Sequence, residues 1–280
     1  MSLSQKTLSF EFFPVRTIEG RAKQIHIRQQ LRALSPSFFS CTSGAGGSTR
    51  EGTLQMVRDI LAEQTPVAPH LPCIGMTEEE VKKLLDEYYA LGVRRLVALR
   101  GDIPSGMGYG MEGFRYANEL VEFVRQEYND KFQIIVAAYP EYHPQAQSAR
   151  DDVKNFVRKV KAGADIAITQ YFFNTDAYFR FVDDVREQGV DIPIIPGIMP
   201  IESFNKLARF SDLCGAEIPR WLRLKLHSYA DDTASIKALA LDVVGDMCER
   251  LLDGGVDGLH FYTMNNAELT TTLCNRLEKH

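Results

Sequence analysis

Cysteine is scarce: Cys41, Cys73, Cys214, Cys248 and Cys274 are five residues in 280, odd in number, scattered and without C-x-x-C spacing. That pattern supports neither a disulfide framework nor a zinc knuckle, and buried free thiols are the expectation. No apolar run approaches the length needed to cross a bilayer, and Met1 to Lys6 lacks the apolar segment of a signal peptide. A soluble, cytoplasmic protein without membrane contact is expected. Positive charge is not in excess either: 32 Lys and Arg against 37 Asp and Glu leave a net charge of −5, with the signs interspersed. Without a basic stripe, nucleic acid is not an expected partner. Low-complexity segments and Pro/Gly/Ser-rich linkers are missing as well.

What the chain does have is a period. Eight short apolar runs recur at nearly regular intervals: Leu8–Phe12, Ser37–Thr42, Pro66–Leu71, Arg94–Arg100, Phe132–Tyr139, Ala164–Gln170, Ile192–Ile198 and Asp257–Thr263. They are rich in Val, Ile and Phe and hydrophobic on successive residues, as parallel strands covered on both faces must be. Helical signals separate them. Thr77-Glu-Glu-Glu80 reads as a capping box, Val81, Leu84, Leu85 and Tyr88 repeat at helical spacing, and Gly92 marks the stop. The interval from Ile198 to Asp257 is about twice the others. It has room for helices near Ser203–Leu213, Trp221–His227 and Thr233–Leu252, so an extra helix before the last barrel helix is expected. The reading is an α/β protein, a (β/α)8 TIM barrel, with residues 1–280 as one domain.

In such barrels chemistry sits at the C-terminal strand ends. Here those ends carry Glu11, Thr42, His70, Arg100 with Asp102, Tyr139, Gln170 and the His260–Tyr262 pair. Glu11 lies among Phe10, Phe12 and Phe13, and an aromatic frame would raise its pKa and make it a proton donor; a strand-end Glu paired with Arg16 is the plainer alternative. Arg100-Gly101-Asp102 offers a cation, a permissive glycine and an anion, or an ordinary turn. Asp152, Asn155 and Lys159, with Arg158 beside them, form a helical stripe: a solvated face unless a ligand lies over it. Gln170 suits reading a heterocycle edge, or capping nearby backbone. His70, His143 and His260 could be taken as metal ligands, but no His-x-His or H-E-x-x-H pattern supports this, and no metal is expected. The Ser43–Ser48 loop fits neither a dinucleotide nor a Walker fingerprint.

Taken together, Phe10-Glu-Phe-Phe-Pro14, Ala68-Pro-His-Leu71, Val97-Ala-Leu-Arg-Gly-Asp102, Ala138-Tyr-Pro-Glu-Tyr-His-Pro144, Ile168-Thr-Gln170, Ile195-Pro-Gly-Ile198 and His260-Phe-Tyr-Thr263 closely resemble bacterial 5,10-methylenetetrahydrofolate reductases, in order and from about Leu8 to Cys274. The resemblance implies an FAD-dependent barrel that uses NADH or NADPH to reduce 5,10-methylenetetrahydrofolate to 5-methyltetrahydrofolate by ping-pong hydride transfer, supplying methyl groups for methionine synthesis. It also implies a homo-oligomer and no appended regulatory domain.

Carried over by position, Glu11 would be the acid that opens the folate imidazolidine ring, and Asp102 would lie near flavin and pterin, favouring an iminium cation. Arg100 and Gly101 would contact FAD. Thr42, Ser43, Ala45, His70, Ala117, Tyr139 and His143 match further positions around the cofactor or the shared site. Asp152, Asn155, Arg158 and Lys159 match FAD-binding positions, the two cations suiting a pyrophosphate. Gln170 would bond the pterin and Phe210 would stack on nicotinamide or folate. The chain departs from the pattern at Lys206 and Asn266, where better-known members place a folate-contacting Gln and Arg, so altered folate affinity is expected. A proline dehydrogenase-like flavin barrel is the nearest alternative. A metal-dependent barrel hydrolase and a non-catalytic binding barrel stand further off.

Overall fold

The structure, a computed structural model, describes residues 6–43, 50–101, 113–230 and 232–279. Strands β1 (Thr7–Phe12), β2 (Phe38–Cys41), β3 (Val67–Pro72), β4 (Arg95–Leu99), β5 (Gln133–Ala138) and β6 (Ile166–Thr169) alternate with helices α1 (Ile18–Arg32), α2 (Arg50–Ala62), α3 (Glu78–Leu91), α4 (Ala117–Tyr128), α5 (Ala149–Lys161) and α6 (Thr175–Glu187). The seventh apolar run forms two short strands, β7 (Ile194–Ile195) and β8 (Gly197–Ile198). Three helices follow, α7 (Phe204–Cys214), α8 (Arg220–Ser228) and α9 (Thr233–Asp253), then β9 (Gly258–Tyr262) and α10 (Glu268–Leu277). All pairings are parallel, in the order β7-β6-β5-β4-β3-β2-β1-β9-β8.

Because β7 and β8 stand at opposite ends of that order yet belong to one run, the sheet closes into a barrel there. The expectation of one continuous seventh strand is corrected: Pro196 has no N–H to donate and splits it. Closure also needs a residue without a side chain. A Cβ on Gly197 would stand 2.1 Å from Thr169 O and 2.6 Å from a Tyr262 ring carbon. With only hydrogen there, Gly197 N–H donates to Thr169 Oγ1 at 2.9 Å and Tyr262 O–H to Thr169 O at 2.7 Å.

The helix signals read as expected. Thr77 and Glu80 exchange side-chain-to-backbone bonds at the start of α3, and Gly92 ends it at φ +95° in the left-handed region. α7, α8 and α9 fill the long interval, with α9 packed on α6 and α10, and α7 on α8.

Strand alternation then divides the core in two. Phe10, Phe12, Phe39, Leu71 and Phe261 point outward into the layer shared with the helices. Phe38, Ala68, Val97, Ile135, Ile168 and Ile195 fill the barrel interior. The same alternation turns Ser9, Glu11, His260 and Tyr262 inward, and Thr263 Oγ1 donates to Glu11 O at 2.6 Å, tying the last strand's end to the first.

Candidate active site

Above the apolar interior layer lies a cavity of about 330 Å³ at the C-terminal strand ends, bordered by Glu11, His70, Tyr139, Gln170, Phe210, His260 and Tyr262. Glu11 Oε2 stands 3.3 Å from His70 Nε2 and 3.9 Å from His260 Nε2. His260 is fully buried, with Ser9 Oγ 2.8 Å from its Nδ1. A proton on Nε2, with the serine hydroxyl donating to Nδ1, satisfies both neighbours. Burial keeps that ring's pKa low, opposed by the Glu11 carboxylate.

The expectation that Glu11 is a raised, protonated acid is overturned. Burial does act to raise its pKa, but hydrogen bonds and charge from His260 and His70 prevail and hold it down to about 2. The physical reason is alternation: Phe10 and Phe12 face the helices, so the aromatic frame of the sequence lies behind the carboxyl instead of around it. Glu11's own surroundings are two imidazoles contributed by β3 and β9.

A second cluster adjoins the first through Tyr139, whose ring packs on His143 with centroids 4.5 Å apart. Asp152 Oδ2 accepts His143 N–H at 2.9 Å, and Lys159 donates to Ala137 O on β5. Burial pushes the Lys159 ammonium down to about 8, with Asp152 opposing, and burial likewise lowers His143. Arg100 bonds Gln145 Oε1 at 2.6 Å, and Arg158 bonds Asn155 Oδ1 at 3.0 Å. Ala117 opens α4, half-buried. The three histidines therefore do not converge, and among the described residues no group of three metal-ligating side chains has the disposition to hold an ion.

Several expected site residues have local tasks. Gln170 Oε1 accepts Tyr171 N–H at 3.0 Å, so the capping alternative holds for its oxygen, while its NH₂ has no protein partner among the described residues. Lys206 pairs with Glu202 at 3.0 Å on the surface. Asn266 Oδ1 accepts Glu268 N–H at 3.0 Å; its neighbour Asn265 makes the clamp to Phe13 O, at 2.9 Å. Thr42, just past β2, has a buried Oγ1 with no hydrogen-bond partner among the described residues, and half-buried Ser43 follows it. Ala45 and Asp102 lie outside the described residues.

The cavity also enlists Met199, Leu213, Cys214 and Met264, together with Tyr171. Reading the sequence assigned these no role. His260 and Tyr262 were legible as an inward-facing pair, two residues apart on one strand. On α7 only Phe210 was named, through the family resemblance; Leu213 and Cys214 gave no such signal, because they come from a segment outside the βα period.

Among known proteins, the family model for methylenetetrahydrofolate reductase matches residues 2–278. The 5,10-methylenetetrahydrofolate reductase of Salmonella typhimurium is 40% identical over 275 residues, 98% of this chain and 91% of that protein. The Escherichia coli protein of the same name is 39% identical over the same shares. Of solved structures, a Clostridium thermocellum protein described as binding two copies of 5-methyl-5,6,7,8-tetrahydrofolic acid superposes with a TM-score of 0.68 at 18% identity, covering 99% of this chain and 96% of its own, a likeness of fold. By the match of the family model and the extent of these identities, the chain belongs to the methylenetetrahydrofolate reductase family.

Proposed function

We propose that the protein reduces 5,10-methylenetetrahydrofolate to 5-methyltetrahydrofolate with electrons from NADH or NADPH, through a bound FAD. The observation that carries this reading is the meeting, at Tyr139, of an apolar-walled cavity holding Glu11 and a cation-bearing cluster suited to a pyrophosphate.

The residues fit a flavin nucleotide on three counts. Arg100, Arg158 and Lys159 supply positive charge on neighbouring elements. Thr42 has a buried hydroxyl without a hydrogen-bond partner among the described residues. Gly101 stands at φ +84° against Pro72 and Ile74, where a Cβ would meet Pro72 Cβ at 2.9 Å, so the chain just past β4 carries no side chain there. These residues, with Ser43, Ala45, Ala117, His143, Asp152, Asn155 and Asp102, would hold the dinucleotide. A bound flavin would supply two-electron storage between the reductant and the folate.

The chain's own groups set the rest. Phe210 provides a flat apolar face at the mouth, where nicotinamide and pterin would bind in turn, so the two reactants exclude each other and ping-pong kinetics follow. Gln170 would present its NH₂ to the pterin edge. Glu11 is held as a carboxylate at rest by its two imidazole neighbours, so to act as the acid it must take up a proton as the folate seats and water leaves. Lys206, exposed in the first turn of α7, and Asn266, half-buried in the segment before α10, would meet the folate tail.

A visible spectrum of the purified protein tests the proposal. Flavin absorbance bleached by 5-methyltetrahydrofolate and not by proline is expected. A colourless protein that binds no FAD and oxidises no NAD(P)H with menadione would reject it.

A further inference from the structure

One wall of the cavity is not made by the barrel. Phe210, Leu213 and Cys214 come from α7, an insertion between β8 and α8 whose helical neighbour is α8. Something must hold α7 at a fixed height above the strand ends, since a flat ligand is gripped only if Phe210 keeps its spacing from Tyr139 and Gln170.

Two tethers reach α7 from the barrel. Ser211 Oγ and Tyr171 Oη lie 2.9 Å apart. Beyond the helix end, Glu141 Oε2 accepts the Glu217 N–H at 2.8 Å, joining the β5–α5 loop to the α7–α8 connection. The fit between these two loops is close. Gly215 ends α7 at φ +75°, and a Cβ there would stand 2.5 Å from Pro144 Cγ. Glu141 itself precedes Tyr142, a non-glycine residue in the left-handed region at φ +70°. Such a conformation is strained and persists only where the surroundings enforce it. Here it lies in the turn between Tyr139, which borders the cavity, and His143, whose N–H goes to Asp152.

We propose that Glu141 is a positioning residue: by accepting the Glu217 N–H it latches the end of α7 onto the β5–α5 loop and fixes Phe210 over the cavity. Glu141 is not among the residues that border the cavity. Its kinetic consequence rests on the reductase reading above, whereas the latch itself does not.

Glu141→Ala removes the acceptor, and Glu141→Gln keeps an oxygen that can accept the same N–H. Hydrogen exchange of α7 in the full-length chain reads the latch directly. In Glu141→Ala, roughly tenfold faster exchange in the last turns of α7 is expected, and near wild-type exchange in Glu141→Gln. Steady-state kinetics should show KM for NAD(P)H and for the folate rising together, roughly tenfold, with kcat changed less, and rescue in Glu141→Gln. Should Glu141→Ala fail to fold, Glu141→Asp, which shortens the reach, is expected to shift both readouts the same way. Unchanged exchange in the shortened or truncated variants would overturn the latch. Faster exchange with both KM values unmoved would overturn the positioning of Phe210. A wild-type protein inactive on folate would instead sink the reductase reading, and the exchange comparison would still decide the latch.

Discussion

Glu11 and His70, from β1 and β3, face each other with carboxylate and imidazole 3.3 Å apart, and His260 closes on the same oxygen from β9 at 3.9 Å. This grouping holds the carboxyl as an anion at rest, with an imidazole on either side of it. It is the feature on which chemistry and acid sensitivity both depend.

Glu11→Gln separates the two half-reactions. Loss of a positioned acid costs about 10²–10⁴-fold, so folate reduction should fall by that factor. NAD(P)H oxidation with menadione, which needs no proton at this carboxyl, should stay within a few-fold of wild type. Parallel loss of both would contradict the assignment.

Stability should fall in acid for a traceable reason. Glu11 titrates at about 2 when folded against an ordinary 4.5, so its contribution is complete above the unfolded value and is lost as pH drops from 4.5 towards 2. The linkage amounts to about 3 kcal/mol at most. His260, buried and held below its ordinary value, adds destabilisation of the same sign, because acid must charge it. Urea midpoints measured against pH should therefore be flatter in Glu11→Gln over this window.

Flavin affinity should carry the signature of Lys159. Its ammonium, pushed down to about 8 by burial, is charged below that pH and neutral above it. An anionic partner is attracted only to the charged form, so FAD affinity should decline as pH rises through about 8. Lys159→Met should bind FAD more weakly at neutral pH and lose that dependence, measured by flavin fluorescence quenching.

Gly197→Ala places a methyl group 2.1 Å from Thr169 O, a backbone atom that cannot swing aside. Overpacking of this kind costs about 1–3 kcal/mol, and the seam where the barrel closes leaves little room to relax. A lowered urea midpoint is expected, and an unchanged one would count against Gly197 as the closing point.

Lys206→Ala should raise KM for the folate several-fold and leave kcat and stability nearly untouched. Its pairing with Glu202 is on the surface, where such bridges contribute about 0–1 kcal/mol.

Much of this architecture was legible because a parallel barrel writes its period into the chain: buried strands read as continuous apolar runs, and Thr77, Glu80 and Gly92 punctuate a helix at both ends. The strand-end position of Glu11 was equally plain. Its ionisation was not, since His70 and His260 reach it only through tertiary folding, while its sequence neighbours Phe10 and Phe12 turn away. Pro196 was visible in the seventh run, but its break in the strand depends on how the two halves pair with different neighbours. Of the α7 wall only Phe210 was named, through the family resemblance; Leu213 and Cys214 look like ordinary helix residues until the helix is set over the mouth.

The most direct test is anaerobic stopped-flow spectroscopy of the flavin-loaded protein. Bleaching on mixing with NADH or NADPH, followed by return of colour on mixing the reduced protein with 5,10-methylenetetrahydrofolate, is the predicted result. Reduction by nicotinamide without reoxidation by the folate, in a protein whose Glu11 is intact, would contradict the account.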